Sequence, residues 1–61
     1  MDIDKAFNML RKAKAGNLVS MVVFNGWAEA SNMPTYPDKS YDKVNTYDDF
    51  YNMAYMNIFV D

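Results

Sequence analysis

The chain has 61 residues, a net charge of −2, and neither cysteine nor histidine. These counts exclude disulfides and the commonest zinc ligands, which are the usual supports of a very small domain. A domain of this length buries only about 60% of the surface that its unfolded chain exposes. Because 51% of the residues are hydrophobic and 16% aromatic, we predict one domain, residues 1–61, that covers its apolar excess by forming a homo-oligomer or binding another protein.

The same inventory argues against catalysis and cofactors. Without histidine or cysteine the chain has no ordinary near-neutral general base and no thiolate nucleophile, and two glycines cannot build a phosphate-binding loop. We therefore predict a protein that is not an enzyme and holds no cofactor or metal. The N-terminus lacks a signal-peptide pattern, and no apolar run approaches the roughly 20 residues that span a bilayer, so we expect a cytoplasmic protein without membrane contact.

Residues 2–15 form the clearest predicted helix. Asp2 can act as the N-cap, Asp4 lies in the first turn, and Gly16 ends the helix. Its apolar stripe comprises Ile3, Ala6, Phe7, Leu10 and Ala13. The last turn carries the basic cluster Arg11, Lys12 and Lys14. We interpret this cluster as a solvated helix end that complements the dipole, with a phosphate-binding patch as the alternative.

The stretch Leu18–Trp27 carries a strong strand signal. Its β-branched and aromatic residues, which fit a pleated surface better than a helix, are Val19, Val22, Val23 and Phe24. Asn25-Gly26 follows, and this dipeptide tolerates the positive φ angles that a two-residue type I′ turn requires. We therefore predict a central β-hairpin in which Phe24 opposes Trp27. A short helix that begins near Trp27 is the alternative, since the return segment is rich in poor strand formers.

The hairpin register divides these side chains between two faces. One face would carry Val22, Phe24 and Trp27, and the other Val19, Met21, Val23, Ala28 and Ala30. Small alanines let a helix approach closely, so we place the core on the second face. The face with Phe24 and Trp27 would then stay partly open to a partner.

Residues 31–45 are predicted to form a long loop, interrupted by Pro34 and Pro37. Loops of this length in a small domain tend to be functional or disordered. Tyr36 and Tyr41 favour a binding role, because tyrosine is enriched at interfaces. The alternative is that both rings merely cover the core.

The loop also contains a partial EF-hand spacing. Asp38, Ser40, Asp42 and Asp49 occupy positions 1, 3, 5 and 12 of such a motif. The sixth position is Lys43 where glycine is needed, and an aspartate replaces the final bidentate glutamate. We therefore predict no calcium site.

Residues 46–60 are predicted to contain a second helix. Thr46 is a credible N-cap, with Asp48 and Asp49 in the first turn. Helical spacing relates Tyr47, Phe50, Tyr51, Ala54, Tyr55 and Ile58. We expect helix through about Met56, whereas residues 56–60 could instead form a short edge strand. The whole chain then predicts an α+β fold of order αββα: an N-terminal helix, the hairpin, the loop and a C-terminal helix.

Size, aromatic content and the missing catalytic groups favour a small protein–protein interaction module. We predict an inhibitor or modulator of a larger host macromolecule, of the phage- or mobile-element type and used in counter-defence, that acts as a homodimer. The predicted partner-binding residues are Trp27, Tyr36, Tyr41, Tyr51 and Tyr55. The run Val22-Val23-Phe24 followed by Gly26-Trp27 resembles a stretch of the phage antitoxin Dmd, a likeness too short to imply a function or any site residue.

The distribution of charge along the chain suggests two alternative functions. Residues 29–61 hold six acidic and two basic residues, and the predicted acidic surface comprises Asp38, Asp42, Asp48 and Asp49. The first alternative is an acidic nucleic-acid mimic that blocks a DNA- or RNA-binding protein, although these charges are sparse compared with duplex phosphates. The second is a small regulator that binds nucleic acid through the first helix, which the acidic balance disfavours.

Overall fold

A computed structural model describes residues 1–56, which form three α-helices and one 3-10 helix. The helices are α1 (Ile3–Lys14), α2 (Leu18–Ala30), the 3-10 helix (Lys39–Lys43) and α3 (Tyr47–Tyr55). Residues 1–56 contain no β-strand. The predicted α+β fold with a central hairpin is therefore wrong, and this part of the chain is all-helical.

Helix α1 confirms the first predicted helix. The Asp2 side chain accepts a hydrogen bond from the Lys5 backbone at 2.9 Å, which satisfies one of the free N–H groups at the helix start. Gly16 follows the helix with a φ of +103°, a left-handed conformation that glycine adopts without strain. The predicted stripe faces the core: Ala6, Leu10 and Ala13 are buried, and Ile3 and Phe7 are half-buried.

Helix α2 replaces the predicted hairpin. It begins where the Asn17 side chain accepts a hydrogen bond from the Ser20 backbone at 2.9 Å. Ser20, Phe24 and Ala28 recur every four residues and are all buried, so one narrow face of α2 packs inward, where α2 contacts α1. Asn25-Gly26, where a turn was predicted, lies inside the helix. The alternative, a short helix that begins near Trp27, is also wrong, because α2 begins at Leu18.

The predicted burial of this segment is wrong at four positions, although Ala28 is buried and Val22 is exposed as expected. Phe24, which was expected on the partly open face, is fully buried. Val19, Val23 and Ala30, which were assigned to the core, are exposed. The β-branched residues that produced the strand signal lie on the outside of a helix, and helix formation here follows inward packing rather than intrinsic propensity.

The segment after α2 is tied to the helices by side-chain hydrogen bonds to its backbone. Asn25 accepts from the Tyr36 N–H at 2.7 Å and donates to the Tyr36 carbonyl at 2.8 Å. The Tyr36–Pro37 peptide bond is cis. Asp38 caps the 3-10 helix through the Ser40 N–H, so the predicted loop is a structured connection with a helical turn of its own.

Helix α3 confirms the second predicted helix and completes the core. Thr46 and Asp49 form a reciprocal capping box at its start, and Met56 is its C-cap. Phe50 contacts Phe7, Phe24 and Trp27 with ring centroids 5.7 to 6.1 Å apart. Aromatic pairs at such distances add to the stabilisation from burial. Ile58 and most of the predicted edge strand lie outside the described residues.

Candidate interaction surfaces

One side of α3 carries a row of tyrosines that we name the tyrosine surface: Tyr47, Tyr51 and Tyr55. Four-residue spacing brings them onto one side of the helix, and the rings of Tyr47 and Tyr51 lie 6.0 Å apart. Tyr47 is half-buried and packs edge-to-face on Phe7 with ring centroids 5.8 Å apart. Tyr51 and Tyr55 remain 44% and 49% exposed. Because Phe50 and Ala54 on the inner side are buried, the core and the capping box hold this row in a fixed orientation.

Carboxylates border the tyrosine surface. Burial, a hydrogen bond with Asp4 and the charges of Asp4 and Asp2 raise the pKa of Tyr47 above its ordinary value. Asp48 is exposed on the neighbouring turn of α3. The surface therefore joins exposed aromatic rings with negative charge, a combination that suits basic and aromatic side chains of a partner.

Tyr41 is part of the core rather than of an open surface. Its side chain is fully buried, and its ring meets Phe24 edge-to-face with centroids 5.4 Å apart. Its hydroxyl donates to the Pro34 carbonyl, and burial, with a smaller effect of the Asp38 charge, raises its pKa. The Tyr41 ring is therefore a core residue, as in the alternative interpretation, and is not accessible to a partner.

The other two predicted aromatic contacts are half-buried. Trp27 packs between Phe24 and Phe50, with centroids 5.8 and 5.7 Å away. Tyr36 lies over Tyr41 with a centroid distance of 6.4 Å. Of the five predicted partner-binding residues, Tyr51 and Tyr55 are thus the most accessible, while Trp27 and Tyr36 also serve the packing of the domain.

The predicted acidic residues do not gather into one site. Hydrogen bonds from Ser40 lower the pKa of Asp38, and hydrogen bonds from the Asn45 and Thr46 backbone lower that of Asp49. Both carboxylates cap helices, whereas Asp42 and Asp48 are simply exposed. Among residues 1–56, no three acidic side chains are placed to hold a metal ion.

The basic end of α1 is largely occupied within the chain. Lys14 donates from Nζ to the Tyr41 and Val44 carbonyls at 3.0 and 2.7 Å. The Arg11 guanidinium lies 6.0 Å from the centroid of the Phe7 ring. Two open clefts beside this cluster, of about 190 and 260 Å³, are smaller than the roughly 300 to 1,000 Å³ of typical ligand pockets.

A second surface was missed by the sequence analysis. We name it the aliphatic surface: Leu18, Val19, Val22 and Val23 on the outer side of α2, which are 70%, 75%, 67% and 45% exposed. Helix α2 contains a single charged residue, Glu29. The signal was present in the sequence as four large aliphatic residues, but the strand assignment concealed that they share one helical face.

The chain matches no protein-family model, no curated protein and no solved structure. Within residues 1–56, no helix has the length and apolar character needed to cross a membrane.

Proposed function

We propose that this protein is a small module that binds a larger protein through the tyrosine surface and acts by docking, without catalysis. The observation that carries the proposal is the exposure of Tyr51 and Tyr55 on a helix that is fixed by its cap and by the buried Phe50. Tyrosine rings supply large contact areas at low entropic cost and are enriched in interfaces. In its most specific form, the partner is a host macromolecule that the module inhibits or redirects in the cytoplasm.

Charge limits the kind of partner surface that fits. The carboxylates of Asp2, Asp4 and Asp48 lie around or beside the tyrosine row, so an acidic partner would be repelled. Arginine and lysine side chains can instead stack on tyrosine faces and pair with the carboxylates. We therefore propose a partner surface with basic residues around an apolar centre.

The two nucleic-acid alternatives draw less support. A phosphate mimic needs closely spaced free carboxylates, yet Asp38 and Asp49 accept hydrogen bonds as caps. Binding of phosphate through the first helix needs free basic groups, but Lys14 bonds to two backbone carbonyls and Arg11 lies over a ring.

The proposal is tested by protein capture from a host lysate with three forms of the chain. We expect wild type to retain a specific protein, the double variant Tyr51→Ala/Tyr55→Ala to lose it, and Val22→Ser on α2 to retain it. Calorimetry with the purified partner then gives the loss of affinity, which we expect to be about tenfold or more, since truncated tyrosine hot spots typically cost at least that.

Two outcomes would contradict this proposal. Undiminished capture by the tyrosine double variant would show that the partner binds elsewhere. Loss of helical circular dichroism in that variant would show that the two rings belong to the intramolecular core. The conservative variant Tyr51→Phe/Tyr55→Phe separates the contribution of ring area from that of the hydroxyl groups.

A further inference from the structure

The outer side of α2 exposes large apolar side chains that are not buried by packing within residues 1–56. The four side chains of the aliphatic surface keep between 45% and 75% of their area exposed. Exposed Gly26 and Ala30 continue the same side of the helix, and the only charged residue of α2, Glu29, lies at the C-terminal end of that side. Contiguous exposed apolar surfaces on small proteins mark interaction sites.

Gly26 is a second, independent observation. Glycine in a helix interior is unfavourable relative to alanine because it loses more backbone entropy on folding. The backbone of Gly26 is helical, and a Cβ added there would meet no atom within 4 Å. Neither the conformation nor the packing of the monomer thus requires a glycine. What glycine does allow at an exposed helical position is the close approach of another helix.

We propose that the aliphatic surface is a homodimer interface in which α2 packs antiparallel against α2 of a second copy. Val19 and Gly26 lie two helical turns apart on the same side of α2. A two-fold axis between Val22 and Val23 therefore seats Val19 of each copy on Gly26 of the other. At both ends of the interface a large valine side chain packs against a glycine. The surface is therefore complementary to itself, as an isologous interface requires.

Charge favours this orientation over a parallel one. In the antiparallel register, Glu29 of each copy lies beside residue 16 of the other, just before the first free N–H groups of that copy's α2. The positive end of that helix dipole then faces a carboxylate. A parallel pair would instead set the two Glu29 side chains close together.

The size of the interface predicts a reversible dimer. Stable interfaces cover about 800 Å² on each partner, whereas the chain exposes 4146 Å² in total. A 13-residue helix is only about 20 Å long, so an interface formed by α2 alone is small by this standard. We expect dissociation in the micromolar range. A lipid surface fits less well, because α2 has no lysine or arginine to attract anionic headgroups.

Sedimentation equilibrium and cysteine crosslinking test the dimer and its register. We expect wild type to dimerise with concentration, Val22→Glu to stay monomeric, and Gly26→Ala to dissociate at about tenfold higher concentration although its monomer is the more stable in urea. Since the natural chain has no cysteine, Val19→Cys mixed with Gly26→Cys should form a disulfide-linked pair, while Val19→Cys alone should not.

Each contrary result overturns the inference. A wild type that is monomeric at all concentrations does so, and its binding to anionic phospholipid vesicles or to a different protein would then identify the true occupant. Self-crosslinking of Val19→Cys alone would establish a parallel pair. The inference does not depend on the proposed function: Tyr51→Ala/Tyr55→Ala should still dimerise, and Val22→Ser should still be able to capture the partner.

Discussion

Helices α1 and α2 are nearly equal in length and pack against each other, yet their outer sides differ completely. The outer side of α1 carries Asp4, Lys5, Asn8, Arg11 and Lys12, all exposed. The outer side of α2 carries the aliphatic surface. Both inner sides use small and large apolar residues at helical spacing, so both helices meet the demands of the core in the same way.

The difference shows that folding specifies only half of each helix. The inner side must bury apolar area, but the outer side is free to vary, and on α1 it is suited to water. On α2 the outer side exposes the residues that water disfavours, without any gain in packing within residues 1–56. Exposed apolar surfaces of this kind are typical of interaction sites, which supports the dimer proposed above.

The largest expected effect separates the two sides of α2 itself. Phe24 is fully buried and its ring contacts Trp27, Tyr41 and Phe50, so Phe24→Ala should cost about 3 to 5 kcal/mol of unfolding free energy. Val22→Ser on the outer side should change it by less than about 0.5 kcal/mol at concentrations where the protein is monomeric. Urea denaturation followed by circular dichroism measures both. Equal losses would mean that the outer side is packed within the chain.

A smaller change in unfolding free energy is expected from replacing an asparagine of α2, and an asparagine of α1 provides the control. Asn25→Ala removes two hydrogen bonds to the Tyr36 backbone and should cost about 2 kcal/mol, since each is worth roughly 1 kcal/mol. Asn25→Asp retains the acceptor alone and should lie between. Asn8→Ala, on the exposed side of α1, is the control and should be nearly neutral. Amide hydrogen exchange of residues 33–44 should accelerate in Asn25→Ala only.

Charge on α1 has a structural role that can be measured in the same way. Lys14→Met keeps the aliphatic stem but removes both hydrogen bonds to the Tyr41 and Val44 carbonyls. Because Lys14 is largely exposed and water competes for both partners, we expect a cost of about 1 kcal/mol, less than for the two bonds of Asn25. Lys12→Met, two residues earlier on the exposed side, should be neutral. If both variants lose the same stability in thermal unfolding, the effect reflects net charge and not the contacts of Lys14.

The smallest effect is the acid dependence of stability. The pKa values of Asp38 and Asp49 lie below their ordinary 3.8 in the folded state. Their contribution to stability is therefore fully present above that value and is lost as pH falls through the lowered pKa values. Asp38→Asn/Asp49→Asn, which keeps capping side chains, should flatten the fall of the urea midpoint below about pH 4. An unchanged slope would assign the acid sensitivity to other carboxylates.

Both terminal helices could be predicted because their signals are local. Asp2 and Thr46 cap them, Gly16 ends the first, and each shows a regular apolar stripe. Helix α2 carried a comparable signal in Asn17 and in the spacing of Ser20, Phe24 and Ala28. The β-branched residues masked that signal, because strand propensity mainly measures fit to a half-buried surface, whereas these residues lie on the exposed side of a helix.

The candidate site was predicted only in part for a related reason. Sequence reasoning expected aromatic rings to form the apolar excess, but Phe24, Tyr41 and Phe50 are fully buried. Within residues 1–56, four of the eight exposed large hydrophobic residues are the aliphatic side chains of α2, and only Tyr51 and Tyr55 are aromatic. Tyr41 contacts Pro34 across a turn of the connecting segment and Phe24 on a different helix, and no helix or strand periodicity reveals such contacts.

The hydrogen bonds from Asn25 determine which substitutions the connecting segment can accept at position 36. The amide of Asn25 pairs with the N–H and the C=O of one residue, as a neighbouring strand would. These hydrogen bonds involve only main-chain atoms of residue 36, so any side chain except proline, which lacks the N–H, allows them to form. These two bonds therefore hold the backbone at position 36 whichever side chain stands there, and substitutions at position 36 should retain its path while losing the packing of the ring against Tyr41.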